Sequence, residues 1–182
     1  VDRLAFLLPK LKLKGDSVST FSIDDIFQSK LKVSPLKKTS PVKDLVAYVS
    51  FNSPYTYLSL AKLDALQSQY FVQIQFKPLL PMLMRGMDQS VRLKAISLLT
   101  DAARIARQDQ IGYGKVYSPV GRGVECAMAL FYMAKKQGRE AALFNALMQA
   151  SWNEGKNIAD EEVLKTIVRR LALNWHEAKK AL

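Results

Sequence analysis

Two strand-like runs with one helix between them, followed by about a hundred residues of purely helical periodicity, constrain this chain more than any other feature. Leu45 to Phe51 reads LVAYVSF, a β-branched and aromatic run bounded by Asn52, Ser53 and Pro54, which is the pattern of a buried strand ending in a turn. Ser53 then stands where a helix N-cap belongs and Pro54 at the first helical position. Tyr57, Leu58, Ala61, Leu63, Ala65 and Leu66 give the helix that follows an apolar face. A second strand alternates Phe71, Gln73 and Gln75 with Val72, Ile74 and Phe76 and stops at Pro78. Strand, helix and strand make a βαβ unit, which implies a parallel, right-handed pair. Beyond Pro81 the spacing predicts helices over about 91–108, 124–137, 140–154 and 160–171 and a short one from Asn174, joined by the glycine-bearing turns GYGKVYSPVGRG, QGRE and NEGKN. A two-stranded sheet cannot bury itself, so these helices cover it or further sheet lies outside the 182 residues. The fold class is α/β, mostly α by content.

Residues 1–44 read differently. VDRLAFLLPKLKL is an amphipathic helical stretch interrupted by Pro9, and Lys14 to Asp44 is rich in Ser, Thr, Lys and Pro, with one short helical signal from Ser22 to Lys30. The expected division is therefore an N-terminal helix and linker over 1–44 and a globular domain over 45–182. The composition, 49% hydrophobic and 24% charged, suits a packed core and excludes wholesale disorder. The longest uncharged stretch, Leu45 to Ala61, is broken by Ser, Asn, Pro and Tyr and falls short of the roughly 20 apolar residues of a membrane span. No membrane partner is expected.

A single cysteine, Cys126, allows neither an internal disulfide nor a cysteine-only metal site, and a single histidine, His176, removes histidine-rich metal sites. No metal is expected. With no signal-peptide pattern, a reducing cytoplasm is the expected location, an exported form with a removed leader staying open. The net charge of +11 is diffuse: residues 1–44 hold nine Lys and Arg against five acids, and residues 45–182 hold eighteen against eleven. A nucleic-acid module concentrates such charge and interleaves it with aromatics, so no nucleic acid is expected.

The sharpest local feature is Phe51-Asn52-Ser53-Pro54-Tyr55-Thr56-Tyr57-Leu58 at the strand-to-helix junction. Ser53 stands where backbone N–H groups and the positive end of the helix dipole converge, a seat for a thiolate or a carboxylate. The competing role is a plain N-cap, worth about 1 kcal/mol of stability.

The stretch AYVSFNSPYTYLSLAKL resembles the opening of the 2-hydroxychromene-2-carboxylate isomerases and kappa-class glutathione transferases, DsbA-like members of the thioredoxin-like superfamily. FKPLLPMLM, RLKAISLLTDAARIAR and LFNALMQASWNEGKNIADEEVLKTI extend the resemblance over about 45–182. It implies a thioredoxin-like βαβ core with a large all-helical insertion at about 80–175, and glutathione as cofactor. Ser53-Pro54-Tyr55-Thr56 then occupies the Cys-x-x-Cys position, and because dithiol exchange needs two sulfurs this site cannot perform it. The resemblance makes Ser53 the catalytic residue that stabilises the glutathione thiolate. It assigns glutathione binding to Ser53, Pro54, Lys94 and Asp2, and the substrate pocket to Tyr55, Tyr57 and Trp152, although a tryptophan beside a helix end equally packs one helix on another. The expected activity is a glutathione-dependent isomerase acting on a small aromatic carboxylate, with a homodimer left open. A kappa-like transferase or peroxidase is the alternative enzyme, and a catalytically silent DsbA-like binding domain the alternative outside enzymes.

Departures from the family pattern bear on the glutathione contacts. RGMDQSVR puts Asp88 and Gln89 where relatives carry Gly-Asn, and Ser97 stands where a Tyr follows the family lysine. Relatives finish with two more strands and a helix, including a cis-proline segment, which would follow Leu182; the C-terminal half of the thioredoxin fold is therefore expected to be missing from these residues. Val1-Asp2-Arg3-Leu4 resembles the family's closing segment, where an Asp receives the glutathione amino group, so residues 1–44 are read alternatively as the tail of a preceding repeat.

Overall fold

A computed structural model describes residues 43–70, 72–86 and 91–182. The expected N-terminal helix, the linker, the short helix at Ser22 to Lys30, Asp2 and Phe71 lie outside the described residues. The rest belongs to one compact unit, Pro41–Leu182.

Strand β1, Lys43–Val49, leads through a turn into helix α1, Pro54–Tyr70, and strand β2, Val72–Pro78, returns beside β1. The strands are parallel in register, Lys43 opposite Val72 through Val49 opposite Pro78, as the βαβ pattern requires. β1 starts and stops two residues earlier than its apolar run suggests. Phe51 and Asn52 are spent on the turn, where the Ser53 N–H donates to the Ser50 carbonyl at 3.2 Å, and the ladder is closed instead by the Leu79 N–H on the Val49 carbonyl at 2.7 Å. On β2 the alternation holds: Ile74 and Phe76 turn inward while Gln73 and Gln75 face solvent.

Past a 3-10 turn at Met82–Arg85, the chain is helical: α2 Val91–Gln108, α3 Arg122–Lys135, α4 Glu140–Trp152, α5 Glu161–Arg170 and α6 Trp175–Ala181. Two of these start on side-chain caps. Asp160 accepts from the Glu162 N–H at 2.8 Å and the Val163 N–H at 3.4 Å, and Asn174 accepts from His176 and Glu177 at the head of α6. α3 begins instead after Gly121, whose φ of 82° lies in the left-handed region that favours glycine.

The core sits among α3, α4 and α5, with Leu130, Phe131, Leu143, Phe144, Leu147 and Val168 fully buried. It reaches the strands through Phe144, whose ring stands edge-on to Phe51 at 4.9 Å and tilted against Phe76 at 5.4 Å. α1 is packed on two sides rather than along one face: Leu60 joins this main core, while Leu58 joins Ala102 and Ala106 of α2 in a smaller cluster. That is why Leu60 is buried and Ala61 and Ala65, expected on the apolar face, are exposed. The helices thus cover one face of the small sheet and fix the β1–α1 junction from below.

Candidate functional site

The junction is built by local hydrogen bonds and then clamped by distant ones. Ser53 is a true N-cap: its Oγ accepts from the Thr56 N–H at 3.2 Å, and its carbonyl accepts the first helical N–H, that of Tyr57, at 3.3 Å. Pro54 is buried at the first helical position, where its missing N–H removes no bond. Thr56, in the first turn of α1, turns its Oγ1 back to accept from the Ser50 N–H at 3.4 Å. The hydroxyl proton of Ser53 has no acceptor among the described residues, so it is available to a group at the head of α1. The first turn of α1 holds no acidic side chain, so the positive end of its dipole is not offset locally.

Three clamps hold this turn. Trp152, at the end of α4, donates from Nε1 to the Phe51 carbonyl at 3.1 Å and is 2% exposed. The resemblance assigned Trp152 to the substrate pocket, with helix packing as the other reading; the ring lies in the core. A large apolar ring with a single donor is buried as core, and its N–H satisfies a carbonyl that the turn leaves without a ladder partner. Tyr57 donates to the Gly112 carbonyl at 2.6 Å, and its ring lies 6.5 Å from that of Tyr113. Burial, with the Glu154 carboxylate as a second cause, pushes the Tyr57 phenol up from its ordinary value, so it stays a donor at neutral pH. Tyr55, 36% exposed, donates to Asp101 on α2 at 2.7 Å, and the other oxygen of Asp101 pairs with Arg104 at 3.1 Å. Tyr55 is thus held at the mouth of the turn by α2, and Tyr57 underneath it by the 111–121 loop.

That loop is itself tied down on α4. The Tyr117 N–H donates to the Ser151 carbonyl at 2.8 Å, and Lys115 bridges Glu154. Its closeness explains two glycines: a Cβ on Gly155, already at φ 64°, would stand 2.8 Å from Lys115 Cβ, and one on Gly112 would stand 3.0 Å from the Asn153 amide. Ser118, in the same loop, donates to Asn52 Oδ1 at 3.0 Å.

The structure therefore gathers Ser53, Pro54, Tyr55 and Tyr57 at one junction and sends Trp152 beneath it. Lys94 falls within α2, but its side chain, like Asp2, is outside the described residues. Sequence reasoning passed over Asn52, Ser118, Asp101 and Arg104 as site residues. The only available signal was that SPV and WNEG flank glycines, which marks tight loops but not what they touch. Cys126 is buried on α3, and burial, the largest cause, pushes its thiol up from the ordinary value, which disfavours the thiolate that a nucleophile needs. Among the described residues there is no cluster of metal-ligating side chains, and no helix is long and apolar enough to cross a membrane.

A capped strand-to-helix turn with the next strand parallel to the first is the geometry in which thioredoxin-like proteins carry their site, and the DSBA-like thioredoxin domain family matches residues 44–182. The chain belongs to that family. No curated protein matches the chain in sequence. Among solved structures it is similar to a 2-hydroxychromene-2-carboxylate isomerase, with a TM-score of 0.64 and 20% identity over 76% of this chain and 70% of that one. It is also similar to a probable DsbA oxidoreductase from Streptomyces coelicolor, with a TM-score of 0.58 and 16% identity over 76% of this chain and 66% of that one. A third is the cytosolic disulfide reductase DsbM from Pseudomonas aeruginosa, solved with GSH, with a TM-score of 0.53 and 17% identity over 76% of this chain and 69% of that one. At these identities the likeness is one of fold. Within this DsbA-like fold, Ser53 and Thr56 stand at the head of the first helix.

Proposed function

We propose that this chain carries the thiolate-stabilising site of a glutathione-dependent isomerase acting on a small aromatic carboxylate in the cytoplasm. The observation that carries the reading is the Ser53 cap in place of a cysteine. Its Oγ is fixed by the Thr56 N–H at 3.2 Å while its own proton remains to be donated at the positive end of a 17-residue helix. This donor set suits an anionic sulfur and offers no sulfur of its own, so the ligand must bring one. Glutathione, when bound, supplies a nucleophilic sulfur for reversible addition to an activated double bond, which permits rotation about that bond with no net oxidation. The protein's part is electrostatic and geometric. Ser53 donates to the sulfur and with the helix end lowers its pKa from about 8.5 towards neutrality. Pro54 fixes the entry angle of the helix, and Tyr55, held by Asp101, stands at the mouth as a wall for an aromatic substrate. The names of two similar structures, an isomerase of a hydroxychromene carboxylate and a cytosolic reductase solved with GSH, support the reading.

The test is a titration of glutathione with wild type and Ser53→Ala, following thiolate absorbance near about 240 nm at neutral pH. We expect a thiolate band in the wild type and its loss in Ser53→Ala, together with about 1 kcal/mol of stability from the lost cap. An equal band in both proteins would sink the mechanism. Turnover of an electrophilic aryl halide without isomerisation of the hydroxychromene carboxylate would redirect the reading to a transferase.

A further inference from the structure

The helices α3 and α6 run antiparallel, and two hydrogen bonds fasten their ends together. Gln137, just past the end of α3, donates from Nε2 to Glu177 at 3.0 Å, and Arg122, at its start, donates from Nη2 to the Leu182 carbonyl at 2.8 Å. Ala178 is fully buried where α6 packs onto the core. On its solvent side the two helices leave an open groove of 680 Å³. One wall is Ala129, Tyr132 and Met133 with Lys136 beyond them, an i, i+3, i+4, i+7 stripe, and the other is formed by Lys180 and Ala181 of α6.

The composition of the stripe suits a contact surface. Tyr132 is 50% exposed, yet its ring is set edge-on against that of the fully buried Phe131, 5.6 Å away, and Met133 is partly buried beside it. An aromatic ring held in place and an adaptable thioether are side chains that protein interfaces favour. Ala129 and Ala181 on the two walls leave room for a rod-shaped body to come close to both helices. From Ala129 to Lys136 the stripe is about 10 Å long, the length of about two helical turns.

Charge selects what the rod carries. Lys136 and Lys180 stand on opposite walls, and among the described residues neither has an acidic partner, whereas Lys179 next door is paired with Glu161 at 2.7 Å. Glu177, the acid that lines the groove, lies at its end and is bonded to Gln137. A second copy of the chain fits poorly. Its net charge is +11, and a two-fold pairing through this face would set these lysines against the same lysines. The acids at the start of α5 are also spent, Glu161 on Lys179 and Glu162 on Lys165.

We propose that this groove docks an acidic amphipathic helix of a partner protein, its apolar stripe laid on Ala129, Tyr132 and Met133 and its flanking carboxylates meeting Lys136 and Lys180. The proposal stands apart from the Ser53 site and does not rest on it.

The experiment is fluorescence anisotropy of labelled synthetic peptides of about 18 residues, long enough to form a helix, titrated with the 182-residue chain. One peptide carries leucines at i, i+3, i+4 and i+7 flanked by glutamates, a second has lysines in place of the glutamates, and a third is the acidic peptide in shuffled order. We expect wild type to bind the first at least about tenfold more tightly than the other two. Lys136→Glu combined with Lys180→Glu, both at exposed positions, reverses the preference between the first and the second. Tyr132→Ala weakens the first about tenfold while the urea midpoint holds. No binding of the acidic peptide below about 1 mM, equal binding of its shuffled form, or an unreversed preference in the double variant overturns the proposal. A dimer in sedimentation that the double variant abolishes would give the groove to a second copy and overturn it too. So would pelleting with vesicles of equimolar phosphatidylcholine and phosphatidylglycerol in the absence of peptide binding, which would give this face to a membrane surface.

Discussion

In the layer of α3, α4 and α5, Leu130, Phe131, Leu143, Phe144 and Leu147 are fully buried, whereas on β1 Leu45, Val46 and Tyr48 keep 38%, 40% and 65% of their surface exposed. Parallel strands ordinarily have both faces covered, so β1 contributes much less burial than its composition would allow. The comparison separates two roles. The helical layer supplies stability, and the βαβ unit supplies the geometry of the Ser53 turn, which is held rigid by what reaches up from the helices. Substitutions in the two regions should therefore differ in kind as well as in size.

The largest difference should come from Phe144→Ala set against Tyr48→Ala. Phe144 is in ring contact with Phe51, Phe76 and Phe131, so removing it opens a cavity shared by α3, α4, β2 and the turn after β1. About 3–5 kcal/mol of destabilisation is expected in urea unfolding. Tyr48 touches little beyond a distant Lys77 ammonium, 6.0 Å from its ring, so its loss should cost no more than about 0.5 kcal/mol. Equal costs would refute the division of roles.

Next in size is Trp152→Phe, which keeps most of the apolar ring but leaves the Phe51 carbonyl without its donor. Stability should fall by about 1–3 kcal/mol. Unlike Phe144→Ala, this change acts directly on the turn, so the thiolate band should shrink in step with loosening of Ser53. A normal band in a destabilised Trp152→Phe protein would show that the turn holds itself.

How much of this could be read from the sequence follows from the range over which each feature is determined. Ser53-Pro54, Asp160 and Asn174 were legible because a cap is settled within three or four residues. The helices from α2 to α6 were placed to within two residues because their apolar periodicity and glycine punctuation are equally local. The end of β1 was misplaced because it depends on where Leu79 closes the ladder, a contact made by the other strand. The position of Trp152 and the pairs Tyr55 with Asp101 and Asn52 with Ser118 span separations of 101, 46 and 66 residues. No spacing rule reaches that far, and a lone Trp, Asp or Ser carries no sign of its partner. The cap itself was thus readable from the sequence, while the distant groups that hold it were not.

Smaller again is Asp160→Ala, which tests whether the helical layer is sensitive at its ends as well as in its middle. Asp160 caps α5 through two N–H groups at the edge of the core helix pair, far in sequence from Ser53. Its removal should cost about 1 kcal/mol by thermal or urea unfolding and leave the thiolate band unchanged. Ser53→Ala should cost about as much and abolish the band. The two caps therefore form a matched pair, equal in stability and opposite in function, and a band lost in both would mean that the assay reports on helix fraying alone.

The smallest effect, absent at neutral pH, concerns the phenols where the 111–121 loop meets α1. Burial pushes both Tyr57 and Tyr113 up from their ordinary value, with Glu154 adding to the rise at Tyr57. A raised folded-state pKa means that the neutral phenol is the form the fold prefers. Its contribution is then fully present below the unfolded pKa, about 10, and is lost as pH rises through the folded value. Stability should accordingly be flat with respect to these groups from pH 7 to about 9 and decline above about 10. Tyr57→Phe should flatten part of that decline while losing the bond to Gly112 at every pH. The check is thermal unfolding between about pH 7 and 11 for wild type and Tyr57→Phe. A decline of the same steepness in both proteins would place the alkaline sensitivity elsewhere in the molecule and leave Tyr57 as a packing contact between the two regions.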